Sequence, residues 1–183
     1  MVFRGRREER REERRGGPGV RAVHYRMRQK LVSIGDDYWI EDGDGRRAYK
    51  VDGKALRVRE TLNFDDASGN TLLRIQERML RVRDTMEIED PGGRTVARVQ
   101  QAMITPLRDR MTVEIEGGPD LKVQGNLLDH EYKVEADGRP VAEVSKRWFR
   151  VADTYGVEIQ PGQNDVLLLA VTTVIDQMTS PAR

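Results

Sequence analysis

Glycine recurs along this chain at a fixed interval. Gly45, Gly69, Gly93 and Gly117 are each 24 residues apart; Gly138 follows after 21 and Gly162 after another 24. Their contexts, EDGDGR, DDASGN, EDPGGR, IEGGPD, EADGRP and IQPGQN, are those of tight turns. Nine residues before four of them stands an acid: Asp36, Glu60, Asp84 and Asp153. Upstream of each acid lies a short apolar patch: LVSI (31–34), ALRV (55–58), MLRV (79–82) and WFRV (148–151). A period of this length is the mark of a repeated supersecondary unit. Each unit reads as strand, bend, strand, turn. Period-2 alternation supports the strands at Met86/Ile88, Val96/Arg98, Met111/Val113/Ile115, Leu121/Val123, Tyr132/Val134 and Tyr155/Val157/Ile159. Six units give about 11 or 12 short antiparallel strands in a meander.

An open sheet of that width exposes two edges, and closure into a barrel removes them. About eight strands can be filled by side chains alone, so a larger barrel needs an apolar plug. The stretch Asn164–Thr179 fits that need, because Val166 to Ile175 carry no charge. Asn164 or Asp165 suits a helix N-cap, Asp165 suits the positive dipole end, and Pro181 lies just beyond. Sixteen residues of helix would measure roughly 24 Å, close to the span of a seven-residue strand. The apolar positions Val166, Leu167, Leu168, Leu169, Val171, Val174 and Ile175 lie all round such a helix, as in a fully buried one. The β-branched run from Val171 to Ile175 has poor helix propensity, so the barrel must hold it; a last buried strand is the competing reading. The fold class is therefore mainly β: a closed barrel of about twelve strands around a C-terminal helix.

The ends and the composition narrow the function classes. Residues 1–24 form an Arg/Glu-rich segment that we assign as a disordered tail, and residues 25–180 form the domain. The first 21 residues hold eight Arg and four Glu, leaving the rest with 24 basic and 27 acidic residues. Such a body is not a basic nucleic-acid binder, and we expect no specific nucleic-acid partner. There is no cysteine, which excludes disulfides, thiolate zinc sites and cysteine nucleophiles. No apolar leader is visible, and ten uncharged residues fall short of the about 20 needed to cross a bilayer. The expected location is cytoplasmic, peripheral at most on the inner membrane face.

No catalytic, cofactor-binding or metal motif stands out. His24 and His130 are the only histidines, and His130 in LLDHEY reads as a strand-start histidine bonded to backbone. The segments Asp42–Gly45 and Asp65–Ser68 resemble calcium loops superficially, yet lack the twelve-residue pattern and serve equally as turns. No G-x-S-x-G, P-loop or dinucleotide fingerprint is present. Recurring basic positions are more informative. Arg57, Arg81 and Arg150 are equivalent in three units, Arg59 and Arg83 follow two residues later, and Lys54, Arg78 and Arg147 precede by three. Gathered at one barrel end, they make a candidate site for anionic head groups or acidic partners. The plainer alternative is solvated strand positions, some paired with the repeat acids.

At these residues the chain resembles the LURP-one-related proteins, which group with the tubby C-terminal-like and phospholipid-scramblase barrels. The segments that carry the resemblance are MRQKLVSIGDDYWIEDGDG (27–45), YKVDGKAL (49–56), LLDHEY (127–132), SKRWFRVADTYGVEI (145–159) and the terminal apolar helix. The resemblance implies a 12-stranded barrel around a hydrophobic C-terminal helix. Tubby domains bind phosphoinositide head groups through basic residues, and scramblases are tied to lipid movement at membranes through acylated cysteines. This chain has no cysteine to acylate, and the tubby head-group residues do not map onto it one by one. The expected function is a non-enzymatic binding module without cofactors, acting on an anionic phospholipid surface. The alternatives are a protein-interaction scaffold, or a small-ligand carrier or enzyme with a pocket between helix and barrel.

Overall fold

A computed structural model describes residues 21–28, 38–52, 61–80, 83–101, 109–149 and 154–179. Twelve strands follow one another: β1 (Val23–Arg28), β2 (Tyr38–Asp42), β3 (Arg47–Asp52), β4 (Thr61–Asp66), β5 (Thr71–Leu80) and β6 (Arg83–Glu89). Then come β7 (Thr95–Gln101), β8 (Asp109–Ile115), β9 (Leu121–Asn126), β10 (Glu131–Ala136), β11 (Arg139–Ser145) and β12 (Thr154–Ile159). Each strand pairs antiparallel with its sequence neighbours, and β1 pairs with β12, so the barrel closes without an edge. The helix α1 (Asp165–Thr179) enters from the end of β12.

Three of the glycine turns share one hydrogen-bond pattern. In the first three units an Asp at the strand end donates its N–H to the residue four positions on, at 2.8–2.9 Å, and its carbonyl accepts from the glycine N–H. The Asp42 carboxylate accepts from the N–H groups of Asp44 and Arg46, and that of Asp66 from Ser68 and Asn70. The Asp90 carboxylate accepts from the Arg94 N–H. All six repeat glycines have φ between 73° and 88°, the left-handed region that a Cβ disfavours. The strand pairing slips by one residue beside these turns, at Ile40/Glu41, Phe64/Asp65 and Ile88/Glu89. That bulge shifts the phase of β7. The strand expected at Val96 is present, with Ala97 and Val99 as its buried pair, while Arg98 reaches Glu87 across the outer face.

Inward residues meet across the strands in continuous rows: Tyr38–Val51–Phe64–Leu73, Leu62–Ile75–Ile88–Ala97, and Met111–Val123–Val134–Ala142–Ile159. These rows face α1, whose Leu168, Leu169, Val171, Val174 and Ile175 are buried. Val166 and Leu167 are only partly buried, because they lie in the first turn at the barrel mouth. Asn164 caps that turn, its side chain accepting from Leu167 N–H at 3.1 Å and its carbonyl from Leu168 N–H at 3.0 Å. The Tyr25 hydroxyl donates to Asp165 Oδ2 at 2.7 Å, tying the helix entrance to β1. No helix among the described residues is long and apolar enough to cross a membrane.

Val171 has no exposed surface, so Val171→Asp buries a charge without a partner. That cost is comparable to the whole stability of about 5–15 kcal/mol expected of a domain. The variant should lose its cooperative thermal transition, as should Leu168→Glu. A folded variant that loses only membrane association would mean that the helix is an anchor and not a plug.

Candidate functional site

Polar groups converge where α1 approaches the far end of the barrel. Thr172 and Thr173 are buried in the helix, and each hydroxyl returns its proton to a carbonyl four residues back, Leu168 O at 2.9 Å and Leu169 O at 3.0 Å. With its own proton committed, Thr173 Oγ1 is left as an acceptor for the Tyr38 hydroxyl at 3.1 Å. One turn on, the buried Asp176 meets two partners from the wall. His130 Nε2 lies 2.8 Å from Asp176 Oδ1, and the Tyr155 hydroxyl donates to Asp176 Oδ2. The His130 and Tyr155 rings stack at 4.3 Å between centroids. Tyr132 lies beside Thr172, but no group meets its hydroxyl at full hydrogen-bond geometry; His130 Nδ1 is likewise buried and unmatched.

The β9–β10 turn explains how His130 reaches the interior. The Asn126 side chain accepts from Asp129 N–H at 3.0 Å and donates to Asp129 Oδ2 at 2.6 Å, and His130 N–H closes the turn on Leu127 O at 3.2 Å. His130 then takes φ of +54°, a conformation that few residues other than glycine adopt. Beneath the turn, Gly125 has φ of +146°, and a Cβ there would lie 2.4 Å from the Glu131 carbonyl oxygen. The expected backbone partner for His130 is thus replaced by a carboxylate 46 residues away on the helix.

Burial dominates the electrostatics of this cluster. It pushes the hydroxyls of Tyr38, Tyr132 and Tyr155 well above their ordinary range, so they remain donors. It also raises Asp176 above the ordinary carboxylate value of 3.8, against the opposing pull of its bonds to His130 and Tyr155. A carboxylate–imidazole pair can move a proton, but both side chains here are enclosed, with Nε2 occupied. The arrangement fastens the helix to the wall. Among the described residues no group of three or more His, Cys, Asp or Glu is placed to hold a metal ion.

The basic repeat positions are described unevenly. Lys54, Arg57, Arg59, Arg81 and Arg150 lie outside the described residues. Arg78 stands in β5 opposite Thr85, and Arg83 in β6 opposite Leu80. Arg147 belongs to a 3-10 turn, Lys146–Trp148, where it is 83% exposed and its Nε lies 3.5 Å from Glu131 Oε2.

Two substitutions separate shape from charge at Asp176. Asp176→Ala strands two buried donors and should cost about 3–5 kcal/mol in urea unfolding. Asp176→Asn keeps the shape without the charge. Because the carboxyl pKa is raised on folding, ionisation weighs on the native state, and its stability contribution is lost as pH rises. The wild-type stability relative to Asp176→Asn should therefore fall as pH climbs from about 4 through the raised value. A difference that grows with pH would refute this assignment.

Comparison with known proteins agrees with the geometry. A crystal structure of a protein from Arabidopsis thaliana superimposes with a TM-score of 0.64 at 15% identity, covering 87% of this chain and 92% of that one. At that identity the likeness establishes the fold. A search of curated protein sequences finds no match. The family description LURP-one-related matches residues 23–176, from the first residue of β1 to the buried Asp176 on the helix. The chain belongs to the LURP-one-related family.

Proposed function

We propose that this protein is a non-enzymatic binding module that docks peripherally, from the cytoplasm, on an anionic phospholipid surface. The observation that supports it is a charge difference between the two ends of the barrel. In a closed antiparallel meander, alternate connections share an end. The sequence segments that follow β1, β3, β5, β7, β9 and β11 therefore leave from strand ends on the side where α1 terminates. Together they hold nine basic and five acidic residues, while the connections on the glycine-turn side hold two basic and five acidic. Lys54, Arg57, Arg59, Arg81, Arg147 and Arg150 all belong to the basic set, with Arg78 and Arg83 on the strands that flank it. On the opposite side, Asp42, Asp66 and Asp90 are committed to turn N–H groups. Bonding from Asn70 and from Arg94 holds Asp66 and Asp90 below the ordinary carboxylate range. A molecule so polarised presents one end to a negative surface.

Co-sedimentation with liposomes tests the reading. Binding should require phosphatidylserine, phosphoinositide or cardiolipin and should weaken with salt. Each basic residue near such a surface contributes about 1 kcal/mol. Arg57→Glu combined with Arg150→Glu should therefore lower vesicle affinity by about 30-fold or more. Absence of binding to any anionic vesicle at low salt would remove the proposal. A stoichiometric protein partner retained after deletion of residues 1–24, without vesicle binding, would replace it with a protein-interaction scaffold.

A further inference from the structure

Three large apolar side chains are exposed among the described residues, Val23, Leu128 and Trp148. Trp148 lies on the outer wall. After β11 the chain makes the 3-10 turn Lys146–Trp148. Ser145 Oγ caps it by accepting from Arg147 N–H at 3.1 Å, and Phe149 N–H closes it on Lys146 O at 3.2 Å. The turn swings the rings of Trp148 and Phe149 across β12 at Gly156. The glycine makes room for them: a Cβ there would lie 2.6 Å from Trp148 Cε3 and 2.8 Å from Phe149 Cε2. His24 on β1 meets the indole edge-on, with centroids 6.1 Å apart. The indole is supported from behind on Gly156, yet 40% of Trp148 remains in solvent.

We propose that Trp148, backed by Phe149 and flanked by Lys146 and Arg147, is the interfacial anchor by which this chain seats on an anionic bilayer. The inference rests on the lipid-surface reading and adds the element that enters the interface. Tryptophan suits that place because its ring is apolar and its N–H still finds polar partners at head-group level. The charge setting favours a negative lipid surface over a neutral partner. Lys146 and Arg147 precede the indole directly. The acids nearby are engaged: Glu131 accepts from Ser145 Oγ and meets Arg147, and Glu158 lies 3.5 Å from His24 Nε2. The turn follows β11 at the end of the barrel where α1 terminates.

The chain contains two tryptophans, Trp39 and Trp148, and Trp39 lies under the Arg47 guanidinium at 4.8 Å. Trp39→Phe in the full chain therefore makes Trp148 the sole emitter. On addition of phosphatidylserine-containing vesicles its emission should shift to the blue and be quenched by lipids brominated near the head group. Trp148→Ala should lower vesicle affinity severalfold with an unchanged thermal transition. Co-sedimentation without a shift or quenching of Trp148 would overturn the anchor and leave end-on docking in place. Absence of co-sedimentation would overturn both. Quenching that persists with neutral vesicles at high salt would overturn the anionic specificity.

Discussion

Twelve strands closed edge to edge enclose more space than their own side chains can fill. The rest of this structure follows from how that space is occupied. The helix brings an apolar surface on nearly every side, so each strand can turn the usual alternation of β-branched residues inward and still reach a partner. Poor helix formers are tolerated because the wall, and not intrinsic propensity, fixes the helix. The dependence runs both ways. A barrel without the helix would leave rows such as Leu62–Ile75–Ile88–Ala97 facing a void.

Polar chemistry enters this core only where it is answered. Thr172 and Thr173 return their protons to the helix backbone, Tyr38 donates to Thr173, and Asp176 is met by His130 from the β9–β10 turn and by Tyr155 from β12. Such a network gives little net stability compared with apolar packing, but it fixes the rotation and depth of the helix. Tyr25 and Asp165 do the same at the entrance. The helix is held apolar in the middle and by directed hydrogen bonds at both ends. The outer wall is then free to carry charge.

Much of this was legible in the sequence, because the decisive constraints are local or periodic. A glycine required by φ near +80° marks its turn wherever it recurs, and the uncharged run from Val166 to Ile175, between the cap at Asn164 and Pro181, announces a buried helix. Three features escaped for different reasons. The inward phase of β7 depends on a bulge that belongs to the pair of strands, so the alternation at Val96 located the strand without showing that Ala97 and Val99 are its buried pair. The pairing of His130 with Asp176 joins residues with no sequence relation, although an acid directly after Ile175 was itself a sign that a buried charge needed a partner. The seat of Trp148 depends on a glycine in the next strand, and Gly156 has no turn context to reveal it. The basic positions were visible as a period, and Lys54, Arg57, Arg59, Arg81 and Arg150 among them lie outside the described residues.

The central claim is that helix and barrel form one cooperative unit. Native-state hydrogen exchange tests it most directly. The amides of Leu169 to Ile175 should exchange only through global unfolding, with the same free energy and denaturant dependence as the amides of β6, β7 and β12. Exchange of the helix amides through a smaller opening, while those strands stay protected, would show that the barrel stands without its helix and would contradict the account.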